Sequence, residues 1–289
     1  MDKILVTGVA GFIGSNLAKH LLLNEKNFVY GIDNFSHATM SNLYPLLKNE
    51  RFEFIEHDLL SDISFQVDII FHFAGCGDLS RYYNNKYDFI LNKIEIAKRI
   101  ISYSQAFGAK LIFPSIYQDK QTKNSDLFKY YDYINLIEAL LLDQIENNKL
   151  NCKIVRLEEV YGENMLKDDK RYIPTVIKQA LLNLIFNFDS DEKCHFTYIK
   201  DVIINLEKIS RTYVDIPIID LINKNLYLKS DVARLIVNYL KSNSKVCVNN
   251  EITKTPSFSP VTTYGFECNT PIIDGIINTI KHYKLINLS

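Results

Sequence analysis

The 289-residue chain lacks the marks of several broad protein classes. It has no CxxC pair: Cys76, Cys152, Cys194, Cys247 and Cys268 are odd in number and scattered. That spacing argues against a disulfide framework or a zinc site and for reduced thiols. No stretch approaches the roughly 18 uninterrupted apolar residues of a membrane span. The opening Met1–Gly8 has neither the charged nor the apolar region of a signal peptide. An excess of one charge is missing too: Lys+Arg 33 against Asp+Glu 34 leaves a formal net charge of -1. With no basic cluster, a nucleic-acid partner is not expected. Neither an internal repeat nor a low-complexity linker breaks the chain. At 47% hydrophobic and 23% charged, the composition is that of an ordinary globular protein. The expectation is a cytoplasmic protein with no membrane association and no metal site.

What is present is an alternation of short apolar runs and helix-period segments. Strands are expected at Lys3–Thr7, Phe28–Ile32, Phe52–Glu56, Asp68–Phe73, Lys110–Phe113 and Lys153–Leu157. Between them lie helices at Phe12–Leu23, where Ile13, Leu17 and Leu21 recur four apart, and at Tyr87–Ala106 and Phe128–Glu146. Strand–helix alternation predicts an α/β fold, a doubly wound parallel sheet covered on both faces. After Leu157 the pattern loosens. Helices are expected near Pro174–Leu184, Val202–Ser210, Asp231–Lys241 and Ile272–Tyr283, with a strand at His195–Ile199. The acidic stretch Asp189–Glu192 reads as a solvated loop, and His72 as a packed residue rather than a catalytic one.

Gly8, Gly11 and Gly14 lie in VTGVAGFIGSNLAKHLL, between a strand and a helix. A glycine triplet alone is weak; its context supplies the physics. Gly8 permits a tight turn, Gly11 lets the backbone approach a pyrophosphate, and Gly14 lets helix pack close to strand. The helix start then offers N–H groups and a positive dipole end to phosphates. Asp33, followed by Asn34, ends the second strand, where a carboxylate accepts hydrogen bonds from the adenosine ribose. No Arg or Lys lies between Phe28 and Leu47 to meet a 2′-phosphate, so NAD is expected rather than NADP.

These segments resemble the extended short-chain dehydrogenase/reductases of the NAD-dependent epimerase/dehydratase family. The similarity runs nearly end to end: TGVAGFIG, GIDNFS, FEFIEHDLLSD, VDIIFHFAG, LNKIEIAKRI, VRLEEVYG, RYIPTVIKQAL and HFTYIKDV. Gly31–Phe89 is especially similar to UDP-glucuronate decarboxylases and their dehydratase relatives. The resemblance implies that Phe12 and Ile13 line the pyrophosphate, that Asp58 and Leu59 meet the adenine, and that Phe73, Ala74 and Gly75 lie beside the cofactor. It implies a Rossmann-type NAD-binding domain over residues 1–157. A substrate lobe over 158–289 would close on a nucleotide sugar, with 195–222 returning to the core sheet. It also implies a homodimer through a helical bundle.

Family chemistry passes a hydride from the sugar to NAD. It uses a Ser or Thr to hold the reacting hydroxyl, a Tyr to take its proton, and a Lys four residues on, one helical turn away. KYYDYINLIEALLLDQ holds three tyrosines, none followed by that lysine: Ile134, Asn135 and Ile137 stand four after Tyr130, Tyr131 and Tyr133. Tyr130 is preferred, because Glu138 and Arg156 then keep the family spacing; the other two stay open. Without a nearby cation, lowering a tyrosine from about 10 to near 7 needs roughly 4 kcal/mol. Lys129, four before Tyr133, is a conceivable substitute in reversed order. In the contracted LIFPSIYQ, Ser115 is the candidate for orienting the substrate hydroxyl. Glu159 replaces the usual Asn and Cys194 the usual Arg in the substrate lobe. The function expected is an NAD-dependent nucleotide-sugar epimerase, dehydratase or decarboxylase, working in surface-polysaccharide synthesis. The alternative is an NAD(H)-binding pseudoenzyme acting as sensor or partner subunit.

Overall fold

The computed structural model describes residues 1–36, 38–75, 79–117, 126–166, 169–189, 191–249, 253–254, 261 and 263–287. For 79–81, 126–130, 253–254 and 285–287 the backbone alone is described. The chain divides into two compact units, the first made of Met1–Ile116, Thr122–Arg156 and Ile203–Ile219. The second holds Tyr117–Gln121, Leu157–Val202 and Asp220–Ser289.

The first unit is built on a seven-stranded sheet. Its strands are β1 (Asp2–Thr7), β2 (Asn27–Asp33), β3 (Phe52–Glu56), β4 (Ile69–His72), β5 (Lys110–Ile116), β6 (Cys152–Leu157) and β11 (Ile218–Leu221). They lie in the order β11-β6-β5-β4-β1-β2-β3, with parallel pairing wherever register is defined, as between Ile4 and Val29 or Ile4 and Ile69. The reversal of strand order beside β1 is the switch point at which such sheets bind ligands. Ile4, Leu5, Val6, Ile70, Phe71, Leu111, Ile112, Ile154 and Val155 are all buried. A parallel sheet covered on both faces buries every side chain of its inner strands, and hence these strands read as unbroken apolar runs.

The covering helices include α1 (Phe12–Leu21), α2 (Leu79–Asn84), α3 (Lys86–Phe107), α4 (Asp126–Asn148) and α6 (Ile199–Arg211). Asn85 caps α3 by accepting a hydrogen bond from the Asp88 N–H, and Gly108 ends it in the left-handed conformation. Beyond β6, the Ile154 N–H donates to the Pro217 carbonyl, seating β11 on the edge. The Lys153 ammonium donates to the carbonyls of Val214 and Ile216.

The second unit carries small sheets: β7 (Val160–Tyr161) beside β10 (Thr197–Tyr198), and β8 (Phe186–Phe188) beside β13 (Val246–Val248). A third sheet holds β9 (Asp191–His195) between β12 (Leu226–Leu228) and β14 (Thr253–Lys254). Its helices are α5 (Tyr172–Leu181), α7 (Lys229–Leu240) and α8 (Ile272–Asn287).

Two expectations are corrected here. His195–Ile199 is not one strand of the core sheet. It splits between β9 and β10, and α6 already begins at Ile199, so of 195–222 only α6 and β11 build on the first unit. Asp189–Glu192 is not a solvated loop either. Asp191 is buried and accepts hydrogen bonds from the Ser230 N–H at 3.1 Å and the Ser230 hydroxyl at 2.5 Å, capping the start of α7.

Candidate cofactor and catalytic site

The turn after β1 is built for close approach. Gly8 has φ +70, and a Cβ on it would stand 2.7 Å from the Ala74 nitrogen and from the Phe73 carbonyl. A Cβ on Gly14 would stand 2.2 Å from the Gly8 oxygen. The turn is tied to β2 by the Gly8 N–H, which donates to the Ile32 carbonyl at 2.8 Å. Gly11 is the N-cap of α1, with no side-chain cap and no acid in the first turn. Phe12, Ile13 and Gly14 therefore open a helix whose positive end is left to an anion. A side chain at Gly8 or Gly14 would force this turn apart, and the close turn with its open helix start fits a dinucleotide pyrophosphate.

Asp33 stands at the end of β2 with its carboxylate fixed on both sides. One oxygen accepts from the Ala10 N–H at 3.0 Å and the other from the Phe35 N–H at 2.9 Å. The Asn34 amide donates to the Asp58 carboxylate at 3.1 Å, and Leu59 beside it is buried. On the other side of β1, Phe73 is buried and the Ala74 N–H donates to the Thr7 hydroxyl at 3.2 Å. The expected cofactor residues, Gly75 included, thus gather at the carboxyl ends of β1 to β4 in the first unit.

His72 is buried beneath them. The Thr7 hydroxyl accepts the Ala74 N–H and shares a hydrogen bond of 2.9 Å with His72 Nδ1. Burial, with the Lys93 charge adding to it, lowers the imidazole to about 3. The ring is neutral in the fold, whereas the unfolded chain protonates near pH 6.5. Stability is therefore undiminished above that pH and falls with acid, down to about pH 3. At pH 4.5 the difference is worth roughly 2–3 kcal/mol. Urea unfolding at pH 7 and pH 4.5 should show a loss smaller by about that amount in His72→Gln; equal losses would refute the assignment.

Ser115, on β5, is buried and its hydroxyl donates to Glu138 Oε1 at 2.5 Å. Arg156 grips the same carboxylate with two nitrogens, Nε at 2.9 Å and Nη2 at 2.5 Å. The serine proton is thus committed to Glu138, and what Ser115 offers a substrate is an acceptor oxygen. The side chains of Tyr130 and Lys129 lie outside the described residues; position 130 stands one helical turn before the buried Ile134. Tyr133 is packed in the core, its ring 5.8 Å from Phe89 and 6.4 Å from Tyr82.

The family model of the NAD dependent epimerase/dehydratase family matches residues 4–218, from the middle of β1 to the start of β11. The chain belongs to this family. It is 30% identical over 224 residues to UDP-glucuronic acid decarboxylase 6 of Arabidopsis thaliana, a match over 72% of this chain and 65% of that protein. The chain thus spans under two thirds of that relative. To UDP-glucuronic acid decarboxylase 1 of Danio rerio it is 24% identical, covering 98% of this chain and 72% of that one. Among solved structures, a UDP-glucuronic acid 4-epimerase from Bacillus cereus superposes with a TM-score of 0.80 at 23% identity, over 98% of this chain and 99% of the other. A UDP-N-acetylglucosamine 4-epimerase from Methanobrevibacter ruminantium gives 0.83 at 19%, over 99% of both. The Rossmann-type fold is shared throughout, and NAD is the cofactor of the epimerase/dehydratase family.

In this family member the second unit carries its altered residues in a charged setting. Glu159 adopts φ 36, and burial raises its carboxyl against the opposing pull of Lys229 and Arg171. Lys229 pairs with Glu192 at 2.8 Å, and Arg171 with Asp169 at 2.6 Å. Burial pushes the Cys194 thiol up to about 12, so it stands neutral where the sequence pattern expects a cation. Among the described residues, no group of three or more His, Cys, Asp or Glu could hold a metal ion, and no helix is long and apolar enough to cross a membrane.

Proposed function

We propose that this chain is a nucleotide-sugar epimerase, dehydratase or decarboxylase that works by transient oxidation of the sugar, in surface-polysaccharide synthesis. The observation that carries the reading is the glycine cradle closed on the end of β4, with Asp33 beside it. Relatives named as UDP-glucuronic acid decarboxylases supply the substrate class. The bound cofactor would supply a hydride acceptor that later returns the hydride. Gly8, Gly11, Phe12, Ile13 and Gly14 would hold its pyrophosphate, Asp33 and Asn34 its adenosine ribose, and Asp58 and Leu59 its adenine. Tyr130, as phenolate, would take the proton of the reacting hydroxyl at its phenolic oxygen as the hydride leaves the same carbon, forming a ketone. Ser115 Oγ would accept a hydrogen bond that orients the substrate.

The reading includes a homodimer in the cytoplasm. Tyr87 and Leu91 on α3, and Leu136 and Leu140 on α4, are exposed apolar pairs spaced four apart, as a helical-bundle interface requires. A second reading, the NAD(H)-binding pseudoenzyme, is favoured by the buried Ile134 in place of lysine.

Proton NMR of the protein with NAD and a panel of UDP-, dTDP-, GDP- and CDP-sugars separates the two readings. New sugar signals are expected, and Tyr130→Phe should slow their appearance about 10²–10⁴-fold. A panel left unchanged by protein shown to hold NAD would establish the pseudoenzyme.

A further inference from the structure

No lysine follows the tyrosines of α4 at the family spacing, yet the first unit places one at the cofactor residues from another helix. Lys93 lies on α3, and its Nζ rests against the backbone of Gly75, the residue that ends the cofactor segment after β4. A Cβ on Gly75 would stand 1.6 Å from Nζ and 2.9 Å from Cε, so the absence of a side chain at Gly75, whose φ is +77, makes room for the ammonium. The stem passes the face of Phe89, with Nζ 5.2 Å from the ring centroid. The same charge adds to the burial that holds His72 neutral.

Neighbouring strands fix what lies to either side. On one side of β4 is β1, whose glycine turn closes on Phe73 and Ala74. On the other is β5, in the register Phe71↔Ile112, which carries Ser115 three residues further on. The ammonium therefore stands at the carboxyl edge of the sheet, between the strand that leads into the phosphate turn and the strand that carries the serine. An ammonium offers three donors and no acceptor. A dinucleotide presents ribose hydroxyls and phosphate oxygens that accept from it.

We propose that Lys93 is the cofactor-holding cation of this site, supplying from α3 the charge that position 134 on α4 lacks. The inference rests on the NAD-binding reading above. Calorimetric titration with NAD of the wild type, Lys93→Met, Lys93→Gln and Lys93→Arg tests it. Methionine keeps the stem against Phe89 and loses the charge; arginine keeps the charge. We expect NAD affinity to fall about tenfold in the Met and Gln variants and to stay within about threefold of wild type in Arg. If the Met variant fails to fold, as judged by circular dichroism, the Gln variant carries the comparison. Binding within twofold of wild type in either neutral variant, or a tenfold loss in Lys129→Met instead, would overturn the role of Lys93 alone. A wild type that takes up no NAD would overturn both the cofactor reading and this inference.

Discussion

Gly8→Ala is expected to abolish NAD binding and to lower stability by about 2–5 kcal/mol. Two costs add. A non-glycine residue at φ +70 pays about 1–2 kcal/mol of backbone strain. The new methyl also meets the Ala74 nitrogen and Phe73 carbonyl at 2.7 Å, and neither can swing aside as a side-chain tip would. Overpacking of that kind costs about 1–3 kcal/mol. Relief would come only by parting the turn from β4, which opens the cradle. Gly108→Ala is the matched control: its φ is +68, but nothing lies within 4 Å of the added atom. That variant should lose only the strain, about 1–2 kcal/mol, and bind NAD as the wild type does. Urea unfolding and calorimetric NAD titration of both proteins check this; equal behaviour of the two would mean that strain, not the cradle, governs Gly8.

The second large effect is expected at Glu138. Its carboxylate is buried and is shared by the Ser115 hydroxyl and the Arg156 fork. Removing one partner of a buried pair leaves a charge without its counter-ion, typically at 3–5 kcal/mol. The Arg156 side chain keeps 33% exposure, so water recovers part of that loss. Glu138→Ala should therefore destabilise by about 2–3 kcal/mol in urea unfolding. Glu138→Gln should lose about half as much, since the amide still accepts from either partner. Replacing Arg156 as well should restore stability relative to Glu138→Ala, because no orphaned charge remains. Additive losses in the double variant would show that the three groups are not coupled.

The strands of the central sheet are legible because burial on both faces writes each as an apolar run, and the glycine turn is legible because its spacing has one geometric cause. What joins distant segments is not. Ser115 and Glu138 are 23 residues apart, and Asp191 and Ser230 are 39 apart. No local rule marks such a pair, so Asp191 reads as a surface acid until its partner is in place. HFTYI is apolar enough to read as a single strand, but its short pairing with Val160 and Tyr161 ends at Tyr198, where α6 takes over. Lys93 did leave a trace: it sits between Phe89 and Ala97, four residues to either side and both buried. A cation in the middle of an apolar helical stripe has to be placed by something other than solvent.

The seating of β11 at the end of the sheet bears on how the chain can be divided. The first unit takes its last strand and α6 from residues far beyond β6, so it is not a continuous stretch of polypeptide. A chain cut after Leu157 would leave β6 with a row of open backbone groups, among them the Ile154 N–H that now meets Pro217. It would also strip Lys153 of the two carbonyls that receive its ammonium. Such an open, apolar border is a template for another chain to pair with. Fragments trimmed to the cofactor half would therefore be sticky, and a tag or fusion partner belongs at the ends of the chain rather than at that seam.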